Sequence, residues 1–408
     1  MASFYIPLTG LDSDSTALNT IANDLANLNT TGFKAQTVNF SDLFYQQIGE
    51  EGSGNLIQEG SGVQTASIES QYSQGSIVST GNSTDVAIDG NGFFVIGDGG
   101  SNVYTRDGNF GLSDSGALIT QSGQSVMGYP AVGGVVNTNA PLSPISIPVG
   151  QIEPAQATSS FGMTANLDSS AAVGTAVPGS LTAYDSLGNP QVVTVTYTKT
   201  GTNTWSYAIN LPAGVATTST GNTGTLTFDS NGNLTAPAAN VAGVTFTGLS
   251  DGSADMTMSF NVLGTSGTPT ITQDATTSAV ASSTQNGYAP GQYQSFSVAD
   301  DGTVEASFSN GQTLAVGKLA LGNVANVQGL QLLGDGDYAA TQASGAAAVA
   351  TSGAAGLGTL QDSALEESNV NISTEFSDLI IAQRAFEANS KAVTTFDTVA
   401  QETINMIH

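Results

Sequence analysis

Apolar side chains repeat with a helical period near the N-terminus of the chain. The positions of this stripe, all of them Leu or Ile, are Leu11, Leu18, Ile21, Leu25 and Leu28. Spacings of three, four and seven residues place side chains on one face of a helix. Gly32 follows the last periodic residue and serves as a stop signal. The pattern therefore predicts a helix within residues 1–30.

A second and longer apolar stripe lies at the C-terminus. Its positions repeat every seven residues and are Ile372, Leu379, Phe386, Val393, Ala400 and Ile407, with Phe376, Phe396 and Ile404 widening the stripe. Gly and Pro are absent from residues 371–408, so the pattern predicts an unbroken helix about 50 Å long. A periodic helix of this length is more typical of a coiled coil than of a globular domain. We expect the two terminal helices to pack on each other and on copies from other subunits.

The residues between these helices have the pattern of β structure. Apolar side chains alternate with threonines at 193–198, a turn with Gly follows at 199–204, and the alternation resumes at 205–211. This pattern predicts a β-hairpin, and residues 229–233 with their Asn-Gly pair predict a second one. Residues 339–358, rich in Ala, Gly and Ser, predict a flexible connector. The predicted fold is mixed but mainly β, with sandwich- or barrel-like domains inserted between coiled-coil-like terminal helices.

The domain limits predicted from these patterns follow the order of the chain. They are an N-terminal helix at 1–30 that pairs with 365–408, a connector at 31–75, a β domain formed from 76–145 and 285–357, an inserted outer β domain at 146–284, and a connector with the C-terminal helix at 358–408.

Charge and composition exclude several classes of protein. Six basic residues against 33 acidic ones give a net charge of −27, which argues against binding to nucleic acid or to an anionic membrane surface. No apolar run is long enough to span a bilayer. The chain lacks cysteine, and its only histidine is His408. We therefore predict no metal, no cofactor and no catalytic site, although pairs among so many carboxylates leave a glycoside hydrolase as a remote alternative.

Four ordered motifs resemble the signatures of bacterial flagellar rod and hook proteins. They are Thr9–Lys34 with its Asn-Thr-Thr-Gly-Phe-Lys end, Asp85–Val95 followed by Tyr104–Phe110 and Gly128-Tyr129, Ser309–Gln312 followed by Gly317–Leu321 and Gly329-Leu330, and Leu365–Ile372 followed by Ala382–Phe386, Ala388-Asn389 and Lys391. The chain has Asp24 where the family usually has Asn, and Thr9 and Phe386 where it usually has Ser and Tyr. We interpret these differences as small replacements.

The resemblance implies a function in the flagellum. The extra β-rich stretch at 146–284 is similar to that of hook members of the family, so we expect a structural subunit that polymerises into the hook, the flexible joint between motor and filament. The implied partners are copies of the chain itself, proteins of the rod, the hook cap and the hook–filament junction, and the type III export apparatus. The implied location is extracellular, after export without a cleaved signal peptide. A distal rod protein and, from another class, a secreted acidic β-rich adhesin are the alternatives.

We thus expect the apolar side chains of the two terminal stripes to act in assembly and not in catalysis. The predicted assembly interface consists of Leu11, Leu18, Ile21, Leu25, Leu28, Ile372, Leu379, Phe386, Val393, Ile404 and Ile407. Arg106 and Arg384 are two of only six cations in an acidic chain. We expect them to form ion pairs within or between subunits.

Replacement of Leu379 or Val393 by Asp is predicted to block polymerisation while the β domains stay folded. An unpaired carboxylate in a packed seam costs several kcal/mol, and the seam recurs in every subunit. Electron microscopy of the purified variants measures the outcome. Tubes of normal form from either variant would show that the stripe faces solvent in the assembly.

Overall fold

The computed structural model describes residues 2–50, 52 and 56–407 and is mainly β, with α-helices at the two ends of the chain. This confirms the predicted fold class. The helices are α1, Ala2–Ala26, and α2, Ile372–Ile407. The N-terminal helix therefore ends earlier than the predicted limit of residue 30. Within the described residues, neither helix is both long and apolar enough to cross a membrane.

The strands are short and follow one another closely between the helices. The first are β1 Gln36–Asp42, β2 Tyr45–Glu50, β3 Leu56–Gly60, β4 Val63–Ser70, β5 Ile77–Ser79, β6 Val86–Asp89, β7 Phe93–Asp98, β8 Ser101–Thr105, β9 Gly111–Leu112, β10 Leu118–Ile119, β11 Ser125–Val132, β12 Val135–Val136 and β13 Ser143–Pro144. The next are β14 Ile152–Glu153, β15 Ser160–Asn166, β16 Ala176–Tyr184, β17 Pro190–Gly201, β18 Thr204–Asn210, β19 Thr218–Thr220, β20 Thr223–Phe228, β21 Leu234–Ala236, β22 Val241–Thr247, β23 Met256–Asn261, β24 Ile271–Thr272 and β25 Ala279–Gln285. The last are β26 Gly291–Val298, β27 Thr303–Phe308, β28 Thr313–Asn323, β29 Gln331–Gly334, β30 Asp337–Ala339, β31 Ala348–Thr351, β32 Thr359–Asp362 and β33 Ala364–Glu366, with a 3₁₀ turn at Val327–Gly329.

The chain forms two compact units. One unit contains residues 1–149, 295–306 and 313–408, and the other contains 150–294 and 307–312. The sequence predicts an inserted domain at 146–284, and these domain limits stay a prediction.

The first unit is built on an antiparallel sheet in which β11, β7, β8, β30 and β29 are neighbours, and β28 pairs with both β11 and β7. The strand β7 is buried along most of its length because both faces of the sheet are covered. One face packs a cluster of large side chains, which includes Phe93, Tyr104, Tyr129 and Tyr338. This sheet is the body to which both terminal helices are joined.

The second unit holds two sheets around one core. One sheet has the order β19-β22-β23-β15-β24, with β25 also paired to β15, and the other has the order β16-β17-β18-β20-β21. Buried side chains from both sheets meet in a single cluster that includes Trp205, Tyr197, Phe161 and Phe260. Both predicted hairpins are confirmed, since β17 pairs with β18 and β20 pairs with β21.

Two segments differ from the sequence-based prediction. The predicted connector at 31–75 contains β1 paired with β4 and β2 paired with β3. The predicted flexible connector at 339–358 contains β31, which pairs with β28, so its assignment as a flexible connector is wrong. Small side chains such as those of Ala and Ser allow close approach to a neighbouring strand, and composition alone does not distinguish this use from flexibility.

Candidate functional site

Three of the sequence motifs meet at one buried cluster of charge. Lys34 follows the N-terminal helix, Arg106 follows β8, and Glu366 ends β33 shortly before α2. The Lys34 Nζ atom lies 2.5 Å from Glu366 Oε1, and the Arg106 Nη1 atom lies 3.0 Å from Glu366 Oε2. These side chains are 1%, 5% and 1% exposed for Lys34, Arg106 and Glu366. We call this cluster the three-motif junction.

The backbone of Gly32 brings the first motif to the junction. Its φ is +67°, a left-handed conformation that favours glycine. A Cβ atom at this position would lie 2.7 Å from the carbonyl group of Arg106, so a side chain is excluded by space as well. The Gly32 N–H donates to the carbonyl of Glu366 at 2.8 Å. This turn ends the segment that follows α1 and places the side chain of Lys34 next to the carboxylate of Glu366.

Glu366 has partners for both of its carboxylate oxygens. Besides Lys34, its Oε1 atom accepts from the N–H of Gly75 at 2.9 Å. The strand that carries it, β33, pairs with β5, which fixes the direction of the side chain. A buried carboxylate needs such compensation, because burial without hydrogen bonds or opposite charge is very unfavourable.

Arg106 extends the cluster towards the sheet. Its Nη2 atom donates to the carbonyl of Gly90 at 2.6 Å, and its guanidinium carbon lies 5.6 Å from the ring centroid of Phe93. Burial lowers the pKa of Arg106 and of Lys34, and the carboxylate of Glu366 opposes that shift in both. Glu366 therefore favours the charged form of both cations.

Asn369 forms a second tie between the two ends of the chain. Its side-chain oxygen accepts from the N–H of Ala35 at 2.8 Å, and its amide nitrogen donates to the carbonyl of Gln71 at 2.6 Å and to that of Ser73 at 3.0 Å. Asn371 then caps α2 by accepting from the N–H of Ser373 at 3.0 Å. The start of α2 is thus fixed to the segment that follows α1.

The two terminal helices contact each other through small and polar side chains. A Cβ atom on Gly10 would lie 2.6 Å from the side chain of Asn389, which shows how closely the helices approach. Asn389 also donates to Asp14 Oδ2 at 2.8 Å. The buried positions of α1 whose side chains the structure describes are Pro7, Gly10, Ser13, Thr20 and Asp24.

The predicted interface residues lie elsewhere on the helices and their flanks. Seven are half-buried, namely Leu11, Leu18, Ile21, Leu25, Leu28, Leu379 and Val393, and three are exposed, namely Ile372, Phe386 and Ile404. The side chain of Ile407 lies outside the described residues. The single chain therefore leaves the apolar stripes incompletely buried, and their part in assembly stays a prediction.

Asp24 is a buried carboxylate beneath this helix pair. Its Oδ2 atom accepts from the N–H of Gln36 at 2.8 Å, and its Oδ1 atom has no hydrogen-bond partner among the described residues. Burial raises the pKa of Asp24 above its ordinary value. Burial also raises the pKa of Glu375, and the charges of Asp24 and Asp378 add to that shift. Asp24, which stands where the family usually has Asn, thus places a poorly compensated carboxylate inside the protein.

Sequence reasoning found only part of the junction. The expectation that Arg106 forms an ion pair is confirmed, while Arg384 is exposed on α2. Lys34 and Glu366 stood inside the quoted motifs but were not assigned a role. The available signal was the scarcity of cations, since five of the six stand within the quoted motifs.

Four family models match the chain in order. They are described as flagella basal body rod protein, residues 4–34, flagellar hook protein FlgE/F/G D1 domain, residues 87–165, flagellar basal body protein FlaE D2 domain, residues 157–288, and flagellar basal body rod FlgEFG protein C-terminal, residues 361–406. Lys34, Arg106 and Glu366 each fall within a different one of these ranges.

Curated relatives match over their full length. The flagellar hook protein FlgE of Escherichia coli (strain K12) is 35% identical, with 99% of this chain and 100% of that protein covered. The flagellar hook protein FlgE of Treponema pallidum (strain Nichols) is 33% identical, with 100% and 99% covered. The chain belongs to the flagellar hook protein family. This confirms the resemblance deduced from the four motifs, and with it the prediction of a structural hook subunit.

A solved structure supports the fold. The flagellar hook protein FlgE2 of Helicobacter pylori is similar with a TM-score of 0.54, covering 71% of this chain and 100% of that chain at 14% identity. At this identity the similarity concerns the fold alone. Membership of the hook family also assigns the chain to the flagellum, where it assembles with copies of itself.

Replacement of Glu366 by Gln is predicted to destabilise the first unit. Lys34 and Arg106 would remain buried without an opposite charge, and loss of one partner of a buried ion pair costs about 3–5 kcal/mol in the free energy of unfolding. Urea denaturation followed by circular dichroism measures the change. The control is Glu367→Gln, which removes an equal charge at the exposed neighbouring position and should change stability by less than about 0.5 kcal/mol. Equal stability of both variants would contradict the role of the junction.

Replacement of Asp24 by Asn is predicted to stabilise the chain at neutral pH by about 1 kcal/mol, because it removes a poorly compensated buried charge and keeps an acceptor for Gln36. The folded-state pKa of Asp24 is raised, so its destabilising effect grows as the pH rises above the ordinary value of 3.8 through the raised one. The gain should therefore shrink as the pH falls towards that ordinary value. Urea denaturation at several pH values tests this, with Asp12→Asn at an exposed position of α1 as the control. A gain that is independent of pH would contradict this assignment.

Proposed function

We propose that the chain polymerises into the hook as a mechanical joint and has no enzymatic activity. The full-length match to hook proteins coincides with terminal helices whose predicted interface side chains are not fully buried in the single chain. These two observations together support the proposal. Exposed apolar surface of this extent is characteristic of protein–protein contacts. In the assembled hook, the helices form the inner tube and the β domains form the outer layers.

The three-motif junction supports a mechanical function. Force that reaches a subunit through its terminal helices must pass into the β body. Lys34, Glu366 and Asn369 tie the segments next to both helices to one another, and Arg106 ties them to the sheet. Several hydrogen bonds and ion pairs at one place resist separation together. The junction therefore transmits load between the tube and the body.

The proposal extends to the export of the chain and to its neighbours in the flagellum. The chain leaves the cell through the flagellar type III export apparatus without cleavage of a signal peptide. Its neighbours are proteins of the rod at one end, and those of the hook cap and the hook–filament junction at the other. The D2-domain match at 157–288 and the full-length match to hook proteins favour the hook over the distal rod. No observation favours the adhesin.

Expression of the chain in a motile bacterium that lacks its own hook protein tests the proposal. We expect short curved tubes at the cell surface by electron microscopy and restored swimming on soft agar. The same cells with the Glu366→Gln variant provide the comparison, since a weakened junction should reduce swimming more than tube formation. Export of the full-length chain without any tubes would contradict the assembly proposal, and straight rods would favour the distal rod.

A further inference from the structure

A groove of about 280 Å³ lies between α1, β1 and α2. Its walls are partly apolar and include Ile21, Val38, Phe40 and Ile381, while Asp14, Glu375 and Asp378 supply carboxylates. Phe40 is 46% exposed and Ile381 is 65% exposed. The groove thus combines an apolar lining with negative charge, and the chain as described leaves it open.

The carboxylates of this groove have no cation near them. In the part of the chain that the structure describes, no ion pair involves Asp14, Glu375 or Asp378. Burial raises the pKa of Glu375, and the nearby carboxylates of Asp24 and Asp378 raise it further. Neighbouring carboxylates repel each other when they are charged. A cation supplied from outside the subunit would relieve this repulsion.

Two cations of the chain are equally unpartnered. Of the six, Lys34 and Arg106 contact Glu366, Lys318 contacts Asp301, and Lys199 is buried against Trp205. Arg384 and Lys391 remain, both exposed on α2. Over the residues that the structure describes, neither lies within ion-pair distance of a carboxylate.

Arg384 and Lys391 share one face of α2. They are seven residues apart, which is about two helical turns. Each stands two residues after a residue on the side of α2 that meets α1, namely Ala382 and Asn389. Two residues correspond to a rotation of about 200°, so the two cations point away from α1. The exposed side chain of Ile380 lies on the same outward face.

We propose that the groove receives the outward face of α2 from a second copy of the chain, with Arg384 and Lys391 of that copy paired to Glu375 and Asp378. This proposal rests on the homopolymer described above. The occupant is assigned by charge, because α1 contains no Lys or Arg, and α2 is the terminal helix that presents exposed cations. The aliphatic parts of Arg and Lys cover apolar walls while their charged ends reach carboxylates. In a chain with a net charge of −27, these contacts are also the means by which neighbouring subunits attract each other.

Charge reversal on each side of the contact, in the full chain, tests the proposal. One variant is Arg384→Glu with Lys391→Glu, and the other is Glu375→Lys with Asp378→Lys. Each alone should raise the critical concentration for polymerisation, measured by sedimentation, at least about tenfold, as expected for a lost interfacial charge pair. An equimolar mixture should polymerise again, because each variant then supplies the charge that the other needs.

Two comparisons make the test specific. Arg384→Gln and Gln383→Glu change the net charge by the same amount at adjacent positions of α2, and only Arg384→Gln should weaken polymerisation. Circular dichroism, which reports on the helices, verifies that every variant is folded, and the fluorescence of Trp205, the only tryptophan, verifies that the second unit is unchanged. Partial recovery of each reversed variant in high salt, which screens repulsion, would add support.

The remaining outcomes overturn the inference. If the reversed variants polymerise like the original chain, the groove and the cations do not meet in the assembly, and another occupant fills the groove. If both fail and their mixture also fails, the two surfaces are not each other's partners. If the original chain itself forms no polymer, the proposed function fails as well, whereas either of the first two outcomes overturns the docking alone.

Discussion

The buried contact of Glu366 with Lys34 and Arg106 is the interaction on which the first unit depends. A charge inside a protein is very unfavourable unless opposite charges and hydrogen bonds surround it. The three side chains come from residues 34, 106 and 366, so no local segment can assemble the cluster by itself. Both ends of the chain must return to the sheet before all three charges are compensated. The electrostatic requirement therefore couples the placement of both helices to the folding of the body.

The contact between the helices follows a different principle. Gly10 has no side chain, which allows α1 to approach Asn389 of α2 closely. A hydrogen bond from Asn389 to Asp14 adds a polar contact between the two helices. The single chain retains incompletely buried apolar side chains on both helices.

The sequence predicts some elements well because their signals are local. The seven-residue spacing and the absence of Gly and Pro predict α2 correctly, and alternation predicts the hairpins of the second unit. The pairing of β31 with β28 escapes prediction because the Ala-rich segment has no alternation of its own. The junction escapes for a related reason, since nothing near Lys34 in the sequence indicates that Glu366 will contact it. The unfavourable free energy of the Asp24 carboxylate likewise cannot be predicted until its burial is known. The family resemblance, in contrast, could be deduced from the residues of the motifs alone.

The scarcity of cations has a consequence for the proteolysis of the chain. Proteases of the trypsin type cleave only after Lys or Arg, and this chain of 408 residues offers six such positions. Lys34, Arg106 and Lys199 are buried, and Lys318 is half-buried in a paired strand. The exposed bonds follow Arg384 and Lys391 on α2, a helix that must unwind locally before a protease can cut it. A chain of this composition therefore offers a common class of digestive enzyme few of the residues that such enzymes recognise.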